Sequence, residues 1–322
     1  MPLADALAAW RRAAVWTAGG VFALLLTGCA SPGHPASPYP PDLPQRVELV
    51  DTPFFPDDSH YCGPAALATS LSAAGLSSQP QALIDQVFLP GRQGSLQVEM
   101  LAAARRQGAV ATLIPASTEA LWRELAAGHP VVVLQNLGLS WAPSWHYAVV
   151  VGYDARTDTV LLRSGPMKRQ ELSLRTFMYT WNRSERWAFV TTRPGQLPVT
   201  ATEAETVRAL VALERNVPAS AAVQAYRAGV ARWPANPTLA MGLGNALYAA
   251  GDKQDAEAVF GQVIERHRLA AAYNNLARLL LERGNIPQAR AVVESGLPVA
   301  GPLRQTLQET LEAIETANQA PR

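Results

Sequence analysis

The chain has 322 residues, 27 Lys and Arg against 26 Asp and Glu, a formal net charge of +1 and a hydrophobic fraction of 48%. No basic run stands out from that balance, so the electrostatic footprint that nucleic-acid binding requires is missing and that class is set aside. The length suffices for two modest domains, and after the first residues no stretch is apolar enough to span a membrane.

Arg11 and Arg12 precede an apolar run over residues 13–26 that stops at small residues. That order marks a targeting segment, so residues 1–29 are expected to lie outside the fold. The run is short for a permanent transmembrane helix and ends in Leu26-Thr27-Gly28-Cys29, which resembles the lipobox of bacterial lipoproteins. The resemblance implies cleavage before Cys29 and lipidation of its thiol. With Ala30 rather than Asp next, it also implies the periplasmic face of the outer membrane. The alternative is an ordinary secretory signal with a chance cysteine. Residues 30–46 hold Pro32, Pro35, Pro38, Pro40, Pro41 and Pro44, a composition that stays extended and reads as a tether.

The chain has two cysteines, so once Cys29 is assigned to lipid, Cys62 is alone and cannot form an internal disulfide. His34, His60, His129, His146 and His267 are scattered without metal-ligand spacing, and no metal or organic cofactor is implied. Around Cys62, a polar turn over residues 56–61 leads into an alanine-rich helix pattern, with Pro64 suited to the first helical position and Gly75 to the stop. The thiol then sits at a helix N-terminus, where unpaired amides and the dipole are expected to lower its pKa, as a nucleophile needs. A small buried apolar cysteine is the bland alternative.

Further along, Ser95 is a plausible cap for an amphipathic run over residues 96–107, with Gly108 as its stop. Residues 110–114 read as a strand, 119–127 as a helix and 131–135 as a strand. Trp145-His146-Tyr147-Ala148-Val149-Val150-Val151-Gly152 places a histidine at the mouth of a buried β-branched strand. A following strand over residues 159–163 leads to Ser164. Residues 172–181 are expected to cover the sheet, and 187–191 to close it. Among Trp141, Trp145, Trp181 and Trp187, only Trp145 is expected in the cleft, for its adjacency to His146; packing explains the others.

Cys62-Gly63-Pro64-Ala65-Ala66-Leu67 and His146-Tyr147-Ala148-Val149-Val150-Val151-Gly152 together resemble the two motifs of the bacteriocin-processing, double-glycine leader peptidase family of papain-like cysteine peptidases. The resemblance covers about residues 47–194. It implies an α+β, papain-like fold with helices on an antiparallel sheet, Cys62 as nucleophile, and His146 as the base that activates it and later protonates the leaving amine. The family's Gln before the Cys is not matched, because Pro56, Asp57, Asp58, Ser59, His60 and Tyr61 stand there. The Cys62 amide can donate to an oxyanion, and Ser59, His60 and Gln135 are open candidates for a second donor. The family's histidine-orienting Asp is also unmatched. Ser164 reaches that place, and Asp154 is a second candidate that better suits a cap for the turn after its strand.

From about residue 207 the composition becomes alanine-rich and helical. Ala222, Tyr226 and Val230 recur 34 residues on as Ala256, Phe260 and Ile264. Leu243, Leu247, Gly251, Ala256 and Val259 recur 33 residues on as Leu276, Leu280, Gly284, Ala289 and Val292. The spacing resembles tetratricopeptide repeats, with inner turns at Gly251-Asp252 and Gly284-Asn285, and an unrelated helical bundle is the alternative.

The domains expected are therefore a signal over residues 1–29, a tether over 30–46, a papain-like cysteine peptidase domain over 47–196 and an all-α repeat domain over 203–316. The expected activity is that of a membrane-anchored cysteine peptidase acting on a peptide or protein, with a possible protein partner in the repeat groove. Two rivals stay open. One is an adaptor that binds peptides without cleaving them, and the other is amidase or acyl-transfer chemistry on the same residues.

Overall fold

The computed structural model describes residues 38–57 and 60–319; the targeting segment, Cys29 and residues 30–37 of the tether lie outside them. The end of the expected tether is instead held to the domain, with Asp42 accepting from Arg123 at 2.8 Å, the Pro44 carbonyl accepting from Tyr153 Oη at 2.8 Å, and Arg46 opening the first strand. Among the described residues no helix is long and apolar enough to cross a membrane. The first domain opens with β1 (Arg46–Glu48), α1 (Cys62–Ala73) and α2 (Pro80–Val87), followed by the short strands β2 (Phe88–Leu89) and β3 (Gly94–Ser95) and by α3 (Gln97–Arg106). Then come β4 (Val110–Leu113), α4 (Thr118–Ala126), β5 (Val131–Asn136), β6 (Trp145–Asp154), β7 (Thr159–Ser164), β8 (Met167–Ser173), α5 (Leu174–Asn182) and β9 (Ala188–Thr192).

The main sheet has the order β4-β9-β5-β6-β7-β8, with β1 on β6, and its pairings are antiparallel. β5 is buried throughout and β6 from Tyr147 to Tyr153, the pattern of strands covered on both faces. On one face lies α1, whose Ala66, Leu67, Ala68 and Leu71 join Tyr147, Val149, Val151, Val132 and Phe189 in one core. Alanines on α1 let the helix approach closely, and Ser70 Oγ meets Thr191 Oγ1 on β9 at 2.7 Å. Elsewhere, Trp122 of α4 packs on Tyr153 of β6 in a tilted contact, with ring centroids 4.9 Å apart. Gln135 on β5 donates from Nε2 to Thr180 Oγ1 of α5 at 2.6 Å.

Two local expectations change. Ser95 does not cap the helix after it: α3 starts at Gln97 behind Leu96 with no side-chain cap, because the antiparallel pairing of Ser95 with Phe88 holds Ser95 in β3. Helix α5 starts at Leu174, later than expected, because residues 167–173 pair with β7 as an exposed edge strand. That polar stretch lacks the apolar alternation that announces a strand.

The second domain is helical: α6 (Glu203–Glu214), α7 (Ala219–Arg232), α8 (Pro237–Ala250), α9 (Lys253–His267), α10 (Ala270–Glu282), α11 (Ile286–Gly296) and α12 (Arg304–Gln319). Gly251 and Gly284 end α8 and α10 with φ of 88° and 74°, the left-handed conformation that a glycine adopts without penalty. Helices α8 and α9, then α10 and α11, thus form the two hairpins expected from the repeat spacing. The core of this domain takes in Val110 of β4 beside Ala209, Leu210 and Leu213 of α6.

The connection between the domains is held by a buried carboxylate. Glu124 of α4 is fully buried and accepts from the backbone amides of Val199 (3.3 Å) and Thr200 (2.6 Å) and from Thr200 Oγ1 (2.6 Å). Both Thr200 bonds fall on Oε1, and Oε2, which takes the Val199 amide, also meets His129 Nδ1 at 2.7 Å. From the repeat side, Arg232 donates to the carbonyls of Pro198 and Val199 at 2.5 and 2.6 Å.

Candidate active site

Cys62 is the first residue of α1 and packs, partly buried, against the core between that helix and the sheet. His146 is the second residue of β6, opposite Gln135 on β5. The two border one cleft of about 980 Å³, together with His60, Ser95, Leu96, Leu137, Trp145 and Arg183. A helix start and a strand start, far apart in sequence, are thus brought to one opening by the packing of α1 on β6.

The imidazole is held from behind. His146 Nε2 lies 2.9 Å from Ser164 Oγ at the end of β7, which leaves Nδ1 as the ring atom available to a thiol. Ser164 is buried, and the backbone beyond it is pinned, because the amide of Asp57 donates to the carbonyl of Gly165 at 3.0 Å. Asp154 caps the far end of β6: its Oδ1 accepts from the Arg156 amide at 3.0 Å, and the Arg156 guanidinium holds the carboxyl down at about 2. That end is roughly 25 Å from His146 at the usual rise of a strand, so of the two candidates only Ser164 reaches the ring.

The electrostatics differ from the sequence expectation. Burial pushes the Cys62 thiol up; the amides of Tyr147, Gly63 and Cys62 itself oppose this, and the Asp57 carboxylate adds to it. The helix start is where the sequence placed it, but desolvation of the thiolate outweighs the nearby amides. Burial also holds His146 below the ordinary imidazole value, opposed by Asp57. Both directions favour the thiol and the neutral imidazole over the ion pair, and among the described residues no hydrogen bond joins the two side chains.

Of the candidates for a second oxyanion donor, Gln135 does not border the cleft, and one N–H of its amide is given to Thr180. His60 borders the cleft, and Ser59 lies outside the described residues. The sequence reading missed Ser95 as a site residue. Its Oγ is buried without a partner, it borders the cleft beside Cys62, and a Cβ at Gly63 would overlap it. Only the β2–β3 hairpin brings it there, and no motif marks it. Tyr147 fixes that wall by donating from Oη to the Ser95 carbonyl at 3.2 Å. Trp145 borders the cleft as expected, Trp181 is fully buried, Trp187 packs on Tyr147 and Phe189, and Trp141 is exposed.

Residues 43–188 match the model of the Peptidase_C39 like family, and residues 219–276 and 269–297 match tetratricopeptide repeat models. The chain thus carries a C39-like peptidase domain of α+β fold followed by tetratricopeptide repeats. No curated protein matches. Among solved structures, a C39-like peptidase from Bacillus anthracis is similar at 18% identity and a TM-score of 0.38, covering 46% of this chain and 98% of the other. The type III secretion translocator chaperone SycD of Yersinia enterocolitica is similar at 16% identity and a TM-score of 0.34, covering 37% and 96%. The Sgt2 TPR domain of Aspergillus fumigatus is similar at 20% identity and a TM-score of 0.33, covering 37% and 85%.

Proposed function

We propose that the chain is a cysteine peptidase of the cell envelope, anchored by lipid on Cys29 at the outer membrane and facing the periplasm, that hydrolyses a peptide or protein bond. The observation that carries the catalytic part is the meeting of Cys62 and His146 at one cleft with Ser164 behind the ring. The anchor rests on Leu26-Thr27-Gly28-Cys29. The repeats supply a protein-binding surface that presents a client to the cleft or docks the chain on an envelope complex.

In this reading a substrate carbonyl enters the cleft above the start of α1. His146 Nδ1 removes the Cys62 proton as sulfur attacks the carbonyl carbon, so imidazolium forms only as the bond forms. The Cys62 amide donates to the oxyanion, and Ser164 Oγ keeps the ring in place through Nε2. Collapse expels the amine, which takes the proton from His146. Water, deprotonated by the same ring, then hydrolyses the thioester and frees the thiol.

The test is labelling by a peptidyl epoxide, whose opening needs both nucleophile and proton donor, read by mass spectrometry. Adduct on Cys62 should form in the wild type and disappear in His146→Ala, with cleaved peptides recovered from a substrate library. Equal labelling of wild type and His146→Ala would remove the basis of this reading. A detergent-phase partition that Cys29→Ala abolishes checks the anchor.

A second reading, peptide binding without cleavage, is favoured by the raised thiol and by the missing Cys62–His146 hydrogen bond. Peptide affinity with no adduct and no product would select it. An amine acceptor in place of water, found among the products, would select acyl transfer.

A further inference from the structure

Between β5 and β6, residues 137–144 form a hairpin that is braced at every level. Asn136 Oδ1 accepts from the amides of Gly138 (3.0 Å) and Ser144 (2.9 Å), and the Leu137 amide donates to the Ser144 carbonyl at 2.8 Å. Near the tip, Leu139 and Ala142 exchange both backbone bonds at 3.0 and 3.2 Å. At the base, Arg183 donates to the carbonyls of Asn136 and Gly138. A loop tied in this way is rigid before any partner arrives.

Its outward surface is apolar all the same. Leu137, Leu139 and Trp141 are 53%, 52% and 82% exposed, and Trp145, where the hairpin rejoins β6, is 52% exposed. Residues 137–145 contain no charged side chain. Single exposed apolar residues are ordinary, whereas several on one braced loop mark a contact surface. The loop is also continuous with the cleft: Leu137, Pro143 and Trp145 border it on the His146 side, while Leu96, also partly exposed, borders it from the β3 side.

We propose that this hairpin is the specificity element of the cleft, holding an apolar or aromatic side chain of an extended polypeptide beside the bond presented to Cys62. The inference rests on the reading that the cleft takes peptides. The occupant follows from continuity with the cleft, since Leu137, Pro143 and Trp145 belong both to the hairpin and to the wall of the opening that Cys62 and His146 border. The absence of Lys and Arg from the hairpin argues against a membrane-surface anchor, which pairs apolar residues with basic ones. Rigidity suits the role because little conformational freedom is lost when the peptide is bound.

The test uses the full chain in detergent with Cys62→Ser, panned against a random peptide library, and a fluorescent copy of a recovered peptide as the binding probe. Recovered sequences should share an apolar residue at one position. Leu139→Ser with Trp141→Ser should weaken the probe about tenfold or more, with the melting temperature kept and, in the Cys62 chain, the iodoacetamide rate unchanged. Peptides with no apolar preference, or a probe affinity that the double substitution leaves alone, would overturn the inference while peptide binding stood. No recovered peptide from Cys62→Ser, together with no cleavage by the Cys62 chain, would overturn the peptide reading and the inference with it. If the double substitution instead abolishes binding to phosphatidylglycerol vesicles or dissociates a dimer while the probe affinity holds, the hairpin belongs to a bilayer or a second copy and the inference is overturned.

Discussion

Nε2 of His146 and Oγ of Ser164 lie 2.9 Å apart across the β6–β7 pairing. A hydroxyl there can orient the ring but carries no charge to stabilise the imidazolium that forms during attack. Ser164→Ala should therefore cost about 1 kcal/mol, roughly fivefold in kcat, whereas Ser164→Asp should raise kcat and move the acid limb of kcat/KM upward. Steady-state kinetics across pH check both. A Ser164→Ala enzyme with wild-type kcat and pH profile would leave the hydroxyl without a positioning role.

The directions at Cys62 and His146 set the pH behaviour. The thiol lies above its ordinary value, so iodoacetamide reactivity should rise with a midpoint above about 8.5. Neutral His146 persists below the ordinary imidazole value, so the acid limb of kcat/KM should fall below about 6.5. Linkage has the matching sign. The unfolded chain takes up a proton at pH values where folded His146 does not, so its stability contribution is complete above about pH 6.5 and declines as pH drops toward the folded value. A thiol alkylated with a midpoint near neutrality would contradict the buried, neutral pair.

Gly63 is fixed by Ser95. A Cβ at position 63 would overlap Ser95 Oγ and Cβ, and α1 cannot shift without moving Cys62. Gly63→Ala should cost about 1–3 kcal/mol by overpacking and lower kcat as well. Adding Ser95→Gly should recover most of the stability, since it removes the overlapping atoms. Urea titration of the two variants decides this; no recovery in the double variant would place the clash elsewhere.

Glu124 carries the link between the domains. Removing its carboxylate leaves the Val199 and Thr200 amides and the Thr200 hydroxyl, on a half-buried segment, without their acceptor. Glu124→Ala should cost about 3 kcal/mol or more, and limited proteolysis should open residues 193–202 first. Glu124→Gln keeps one acceptor oxygen and should fall between. Unchanged melting and proteolysis in Glu124→Ala would show that the contact of Val110 with α6 and the Arg232 bonds to Pro198 and Val199 hold the connection without the carboxylate.

Much of this protein was legible in its sequence because the signals are local. The Cys62-Gly63-Pro64 helix start, the β-branched run after His146, the turn glycines Gly251 and Gly284 and the spacing of 34 and 33 residues between repeats all act within one element or one hairpin. The tertiary structure decided what depends on register and burial. It gave His146 to Ser164 and left Asp154 at the far end of β6, it turned the Gln135 amide to Thr180, off the cleft wall, and it brought Ser95 from the β2–β3 hairpin against Gly63. It also reversed the expected shift of the Cys62 thiol, because a helix start is visible in a sequence, whereas the desolvation of a sulfur depends on what the rest of the chain packs around it.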